Sequence, residues 1–400
     1  MRNAGLYGRS LGLVLVGGAL SWSHSLISVG VGLLAGSLLL DRKVWKPFGQ
    51  VALQRLSVPF GLLYGLHLVS YFWTENLPQW WVEMRIKLPF LFLLPATVLA
   101  WRESSAMVRK ITVAVFHAAV LIVGIGTLGR LLADPAWGLE EMRQGRYVPM
   151  WGGISHIYYS ALVGMGLFWL WVFPVPASKV ARYGLAGLYL LVLYGLALRT
   201  GLAALYLTAA FLGLRWAWAD KRRLGLYLLG VMSVFGLLVL LGLYFPPFQK
   251  RWQHLRQDLA LYREGADITY TSLTRRIVAL QASWCAFRRS PVWGVGIADN
   301  QDAVFAIIPY LPYQWEKAWY ILPHNQFMEY ALGLGMIGLG VFGLFWWWAA
   351  REKLGGVWAG WLTYWFLLLQ GEAFLERQIG LTAFLWGTGL LWATLAARKS

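Results

Sequence analysis

Four hundred residues carry 58% hydrophobic and only 13% charged side chains, with 25 tryptophans among them. A soluble domain of this size needs far more surface charge, so an ordinary water-soluble globule is excluded. The net charge of +17 comes without the Lys/Arg-rich runs that track a nucleic-acid backbone, which argues against a nucleic-acid partner. A lone Cys285 leaves no internal disulfide and no cysteine metal cluster.

Runs of roughly 20 apolar residues recur along the chain, the length that crosses a bilayer core as helix. The predicted fold is an all-α polytopic membrane protein of about 12 transmembrane helices, a single integral membrane domain over residues 1–400. The spans fall near Leu6–Ser21, Leu26–Leu40, Val51–Trp73, Lys87–Trp101, Ile111–Leu132, Ile154–Phe173, Arg182–Leu198, Gly201–Trp218 and Leu224–Phe245, then Gln326–Ala349, Gly356–Gln370 and Ile379–Ala396. Arg2 and Arg9 precede an apolar run as in a signal peptide. No small-x-small cleavage site follows, so the expectation is a retained first helix. The first two spans are short and joined by a tight Ser/His turn, which also suits a re-entrant pair. Between spans nine and ten lies the one long polar passage, residues 246–325, expected to be a periplasmic loop containing short helices.

Charge sets the orientation. With the N-terminus inside, the inner loops hold 18 cations, among them Arg9, Lys221 and Arg398, against four acids, Asp41, Glu103, Asp220 and Glu352. That bias obeys the positive-inside rule and makes both termini cytoplasmic. The outer stretch Trp73–Lys87 reads as an aromatic interfacial belt.

Three features bear on chemistry. Arg199 is the one charge between Gly184 and Leu214, at an outer helix junction with Thr200-Gly201 following. It is either a functional intramembrane cation or a snorkelling helix end, and backbone amides there suit an anion. Arg275 and Arg276 follow a Thr/Ser helix start, and Ile277, Leu280 and Trp284 recur at helical spacing. This describes a surface helix whose guanidinium groups meet phosphate bidentately or attract anionic lipid generally. His324, between Pro323 and Asn325 at the start of a span, has the imidazole of a general base and a neighbour able to orient it, although a lone interfacial His is commonly structural. Arg146, His156 and Tyr158 are secondary candidates in the outer segment before span six. Asp299 and Asp302 lie three apart in a Gly/Asn turn that reads as loop chemistry, and no metal site is expected.

The order of these residues carries a resemblance. Arg199 at a helix junction, Arg276 followed after 14 residues by Pro291, Gly294 and Gly296, then His324-Asn325, resembles the bacterial O-antigen ligase and polymerase superfamily, and within it the lipopolysaccharide O-antigen ligases. The likeness covers the second half of the chain. It implies a glycosyltransferase that moves a glycan from undecaprenyl diphosphate to a lipid A–core sugar at the periplasmic face of the cell inner membrane. It further implies no metal or other cofactor, His324 as base and Arg199 and Arg276 on the donor diphosphate. Relatives often carry Ser-Arg-Gly where this chain has Leu198-Arg199-Thr200-Gly201, so the local geometry there departs from the pattern. Alternatives are an O-antigen polymerase, a protein O-oligosaccharyltransferase and a lipid or polysaccharide transporter. The last would need polar residues along several spans, which are nearly free of them.

Overall fold

The computed structural model describes residues 2–136, 138, 148–173, 175–196, 198–218, 220–244, 246–271 and 273–398. Its described residues are helical apart from turns and one isolated bridge, Asp267 to Gln314. In chain order the helices are α1 (Arg2–Ala19), α2 (His24–Leu40), α3 (Trp45–Ala52), α4 (Val58–Val69), α5 (Leu77–Lys87), α6 (Leu93–Glu103), α7 (Ala106–Ala133), α8 (His156–Val172) and α9 (Lys179–Gly195). There follow α10 (Arg199–Ala217), α11 (Lys221–Tyr244), α12 (Pro246–Glu264), α13 (Leu273–Phe287), α14 (Asn300–Ile307), α15 (Gln326–Arg351), α16 (Gly356–Gly371) and α17 (Gln378–Ala397).

Each of the twelve predicted spans overlaps at least one helix. By length and apolar composition, however, five helical stretches among the described residues are able to cross a membrane: Leu77–Glu103, Ala106–Ala133, Arg199–Ala217, Gln326–Arg351 and Gln378–Ala397. A sixth is possible if α2 and the following Arg42–Ala52, bent 92° from it, form one broken span. Proline explains two departures from the predicted bounds. The expected span Val51–Trp73 breaks after α3, turns through Gln54 and Ser57, and restarts at Val58 with Pro59 in the first turn of α4. The expected belt Trp73–Lys87 folds as α5 and passes into α6 through a 3-10 turn at Leu88–Leu91 that contains Pro89.

Two compact units result. The first comprises Met1–Gly65, Glu83–Thr208 and Val341–Ser400. At its centre stands α17, in which every residue from Ile379 to Ala393 is buried. A helix apolar on all sides has no wet face to offer, so it becomes the middle of the bundle. Phe116 and Trp169 (4.5 Å between ring centroids) and Trp386 (5.1 Å from Trp169) pack on one side, Phe60, Phe345 and Phe384 on another. Two tryptophan N–H groups there find partners, Trp361 on Thr388 Oγ1 (3.1 Å) and Trp101 on Thr394 Oγ1 (2.8 Å). Among apolar surroundings such packing and hydrogen bonds, more than water exclusion, hold helices together.

Charges collect at one end of this unit. The buried Arg9 guanidinium bridges Asp41 (3.2 Å) and Glu103 (2.8 Å). Trp101 meets Phe173 near the close of α8, and Arg398 donates to the Val172 carbonyl at 2.5 Å. These are residues that the sequence assigns to the inner side. The other end of α8, which starts at His156, is about 25 Å away by the helical rise.

The second unit comprises Leu66–Val82 and Ala209–Gly340. Its hydrophobic cluster joins Val278, Ala279, Ala282 and Ala286 of α13 to Val304 and Ile307 of α14, Ile268, Trp315 and Leu332. The apolar stripe expected on α13 is not what it buries. Leu280 and Trp284 face outward, and the small residues Ala279, Ala282 and Ser283 face in beside Val278. Asp299 accepts from the Glu75 and Asn76 amides (2.9 and 2.8 Å), and Asp302 accepts from the Asn76 side chain. Both aspartates therefore tie the start of α5 to the loop before α14.

Candidate functional site

In the second unit the site is built around the start of α15. Pro323 cannot continue a hydrogen-bonded run, and the chain turns into the helix through His324 at φ 50°, the one described non-glycine residue in the left-handed region. Histidine tolerates this conformation better than most residues, yet it costs roughly 1–3 kcal/mol and persists where surroundings impose it. Asn325 supplies that constraint: its Oδ1 accepts the Met328 amide at 3.0 Å as an N-cap. Asn325 thus fixes where α15 begins, directly after His324. One turn on, Glu329 is buried and accepts from Asn300 Nδ2 at 2.8 Å, in the first turn where the helix dipole favours an acid. Tyr330 packs edge-on against the buried His67, whose carbonyl accepts from Trp80 Nε1.

The Pro-x-x-Gly-x-Gly stretch then explains itself. α15 is interrupted at Gly335 (φ 65°, ψ −163°). In an unbroken helix the amides of Met336 and Ile337 would donate to the carbonyls of Leu332 and Gly333. Here they donate to Pro291 (2.8 Å) and Val292 (3.5 Å), while those carbonyls accept from Val295 (2.9 Å) and Gly296 (3.1 Å). The inserted segment replaces both broken bonds in full, the condition under which a helix tolerates interruption away from water. The approach leaves no room for side chains, since a Cβ on Gly294 (φ 75°) would lie 2.4 Å from the Gly333 carbonyl carbon. The motif is a backbone clamp that sets the position of the first half of α15, and with it His324.

Arg275 and Arg276 differ in role. Arg275 Nε donates to the Thr271 carbonyl (2.5 Å), and its guanidinium lies 5.8 Å from the Trp319 ring centroid. Burial first, then the neighbouring Arg276 charge, hold its pKa below the usual arginine value, against the pull of Asp258. Arg276 is half-buried, and no hydrogen bond or ion pair is recorded for it among the described residues, which leaves its fork available to a ligand. Its helix packs on the same core as Tyr320, Ile321 and Leu322 of the segment leading to His324.

The remaining candidates belong to the first unit, at the end opposite Arg9. Arg199 is exposed and opens α10, as the sequence predicts. Gly201 rests against Ser160 of α8, and Thr200 lies beside Gly371 at the close of α16. His156 is the first residue of α8 behind the Ser155 cap. Tyr158 packs edge-on against Phe374 (5.1 Å), a packing role. Arg146 lies outside the described residues. The same end holds a group that sequence reasoning missed. Lys87 is 0% exposed, with Nζ 2.6 Å from both the Leu375 carbonyl and Glu376 Oε2 and 3.9 Å from Glu83. The signal was a cation at the head of an apolar run, indistinguishable from a belt residue because its partner is 289 positions away.

Arg199, His156 and Tyr158 thus gather in one unit, and Arg275, Arg276, His324 and Asn325 in the other. Among the described residues no three His, Cys, Asp or Glu side chains are placed to hold a metal ion. A half-buried guanidinium such as that of Arg276 can bind an anion, and an imidazole such as that of His324 can accept a proton. No curated protein matches the chain in sequence. Residues 184–343, a stretch that includes Arg199, Arg276, the clamp glycines and His324, match the family model described as O-antigen ligase, and that match supports the resemblance to the O-antigen ligase/polymerase superfamily.

Proposed function

We propose that this protein is an inverting glycosyltransferase that moves an O-antigen glycan from undecaprenyl diphosphate to a sugar hydroxyl of lipid A–core, at the periplasmic face of the bacterial inner membrane. The observation that carries the reading is that Arg199, Arg276 and His324 all fall within the matched region, two of them in one compact unit, with His324 held in a strained conformation at a capped helix start. Diphosphate is already a good leaving group, so the protein has two tasks. The guanidinium groups of Arg199 and Arg276 offset the charge that develops on the departing diphosphate oxygen, a task that needs no metal. His324 takes the proton of the acceptor hydroxyl as its oxygen bonds to the anomeric carbon from the face opposite the breaking bond. Both termini and the inner cation-rich loops stay cytoplasmic, with residues 246–325 outside.

The test is transfer of a defined undecaprenyl-diphosphate glycan by the purified protein, in chelator, to lipid A–core or to a second polyprenyl-linked glycan. His324→Ala should lose about 10²–10⁴ in rate and still bind donor, whereas Arg276→Ala should lose donor binding. Extension of the second polyprenyl glycan, with lipid A–core left untouched, would make the protein a polymerase. Full turnover by His324→Ala would remove the base assignment.

A further inference from the structure

We propose that Tyr270 and Trp319, with the Arg275 guanidinium, form a glycan-binding platform that holds sugar residues of the donor chain; this rests on the glycan-transfer reading above. Tyr270 is 79% exposed and Trp319 45% exposed, their ring centroids 5.6 Å apart and their planes at 66°. Large rings left in water forgo the stabilisation of burial, and a loose loop would let them fold back. Here they are held out. The Ile268 amide donates to Gln314 (2.9 Å), the Gln314 amide to Ala266 (3.3 Å), and the Glu316 amide to Thr269 Oγ1 (3.1 Å). Ile268 and Trp315 root the two strips in the hydrophobic cluster. Arg275, tied to the Thr271 carbonyl, completes the corner against Trp319.

Two aromatic faces set at an angle, with guanidinium donors at their seam, suit a pyranose. Its C–H face lies on a ring, and its hydroxyls or a sugar carboxylate reach the cation. The rings are flanked by charges of both signs, Asp267 and Glu316 with Arg275 and Lys317, so the patch lacks the purely cationic rim of an anchor for anionic head groups. An interfacial anchor also has no need of a fixed inter-ring angle. Placement agrees with the glycan: Arg276 follows Arg275 directly, and His324 is five residues beyond Trp319, at most roughly 18 Å of extended chain. The platform therefore lies within a few sugars of Arg276 and His324.

The probe is O-antigen polysaccharide from the producing strain, freed of lipid and diphosphate by mild acid, added to the purified full-length protein in detergent. Binding is read by tryptophan fluorescence and by saturation-transfer NMR. Saturable binding is expected, weakened about tenfold or more in Trp319→Ala and in Tyr270→Ala and largely kept in Trp319→Phe. His324→Ala should lose transfer and keep this binding. If transfer fails in every protein yet Trp319→Ala alone loses polysaccharide, the platform stands and the reaction is misassigned. Absence of saturable binding in the parent, or unchanged affinity in both alanine variants, overturns the proposal. So does a Trp319→Ala protein that binds polysaccharide normally but leaves phosphatidylglycerol vesicles.

Discussion

Two neighbouring arginines, Arg275 and Arg276, share a sequence context and part company in the structure, one tied to Thr271 and Trp319 and the other unengaged. Substitution should separate them. Arg276→Lys should restore little of the transfer lost in Arg276→Ala, because an ammonium cannot present the two-pronged fork. Lys87 makes the opposite kind of prediction. Its ammonium is satisfied by Glu376 and the Leu375 carbonyl, so Lys87→Met strands a carboxylate and should cost roughly 3 kcal/mol of stability. Adding Glu376→Leu should recover much of this in thermal unfolding. If the double variant is no better than the single, the pair is not the source of the cost. Asp267 supplies a pH test. Hydrogen bonds from Thr269 hold its pKa below the ordinary 3.8, so the folded state prefers the ionised carboxylate. Its contribution is present above that ordinary value and is lost as pH falls through the lower folded one. Amide exchange at Thr269–Thr271, corrected for the intrinsic rate, should speed up on acidification through that window. In Asp267→Asn that acid-dependent step should vanish.

At the scale of elements, α15 is the most informative. The sequence shows an apolar span with several glycines, and nothing in its hydropathy marks Gly335 as a break. The Pro-x-x-Gly-x-Gly stretch shows turn residues, and nothing in its spacing reveals that they pair with a helix some 40 residues on. Each half was legible and the join was not, because main-chain hydrogen bonding leaves no side-chain signature. Gly294→Ala should be severe. It forces a side chain into a left-handed residue, for about 1 kcal/mol or more, and drives a methyl into the Gly333 backbone. Transfer should drop in step with loss of the His324 geometry while the far end of the molecule keeps its fold. Normal activity in Gly294→Ala would show that the clamp does not position His324.

For the whole molecule, alternation of apolar and cationic segments made the helical class and most helix positions readable, since both follow from local composition. The number of true crossings was less so, because Pro59 and Pro89 reset helix boundaries and short helices pass for spans. The candidate residues were legible as types in an order. Their division between two compact units, and the buried partnership of Lys87 with Glu376, depend on contacts hundreds of residues apart that one sequence does not encode locally. Orientation is testable directly. Cysteine labelling should find residues next to Lys221 protected from outside reagents and residues next to Asp258 exposed to them. The reverse pattern at both would invert the molecule and place His324 in the wrong compartment for the reaction proposed.

The clamp on α15 also constrains how such chains can diverge. A side chain at 294 would meet the Gly333 backbone, one at 335 would meet the Val292 carbonyl, and one at 333 would meet Ile297 and Asn300 just beyond the inserted segment. None of the three positions can drift alone while the break persists. A descendant that heals the helix by placing a side chain at 335 frees 291–296 from its partner, and the other two glycines then become replaceable at once. Across sequences, positions 294, 333 and 335 should therefore change as a block or not at all, and a chain that keeps two of the three glycines while losing the third should be rare.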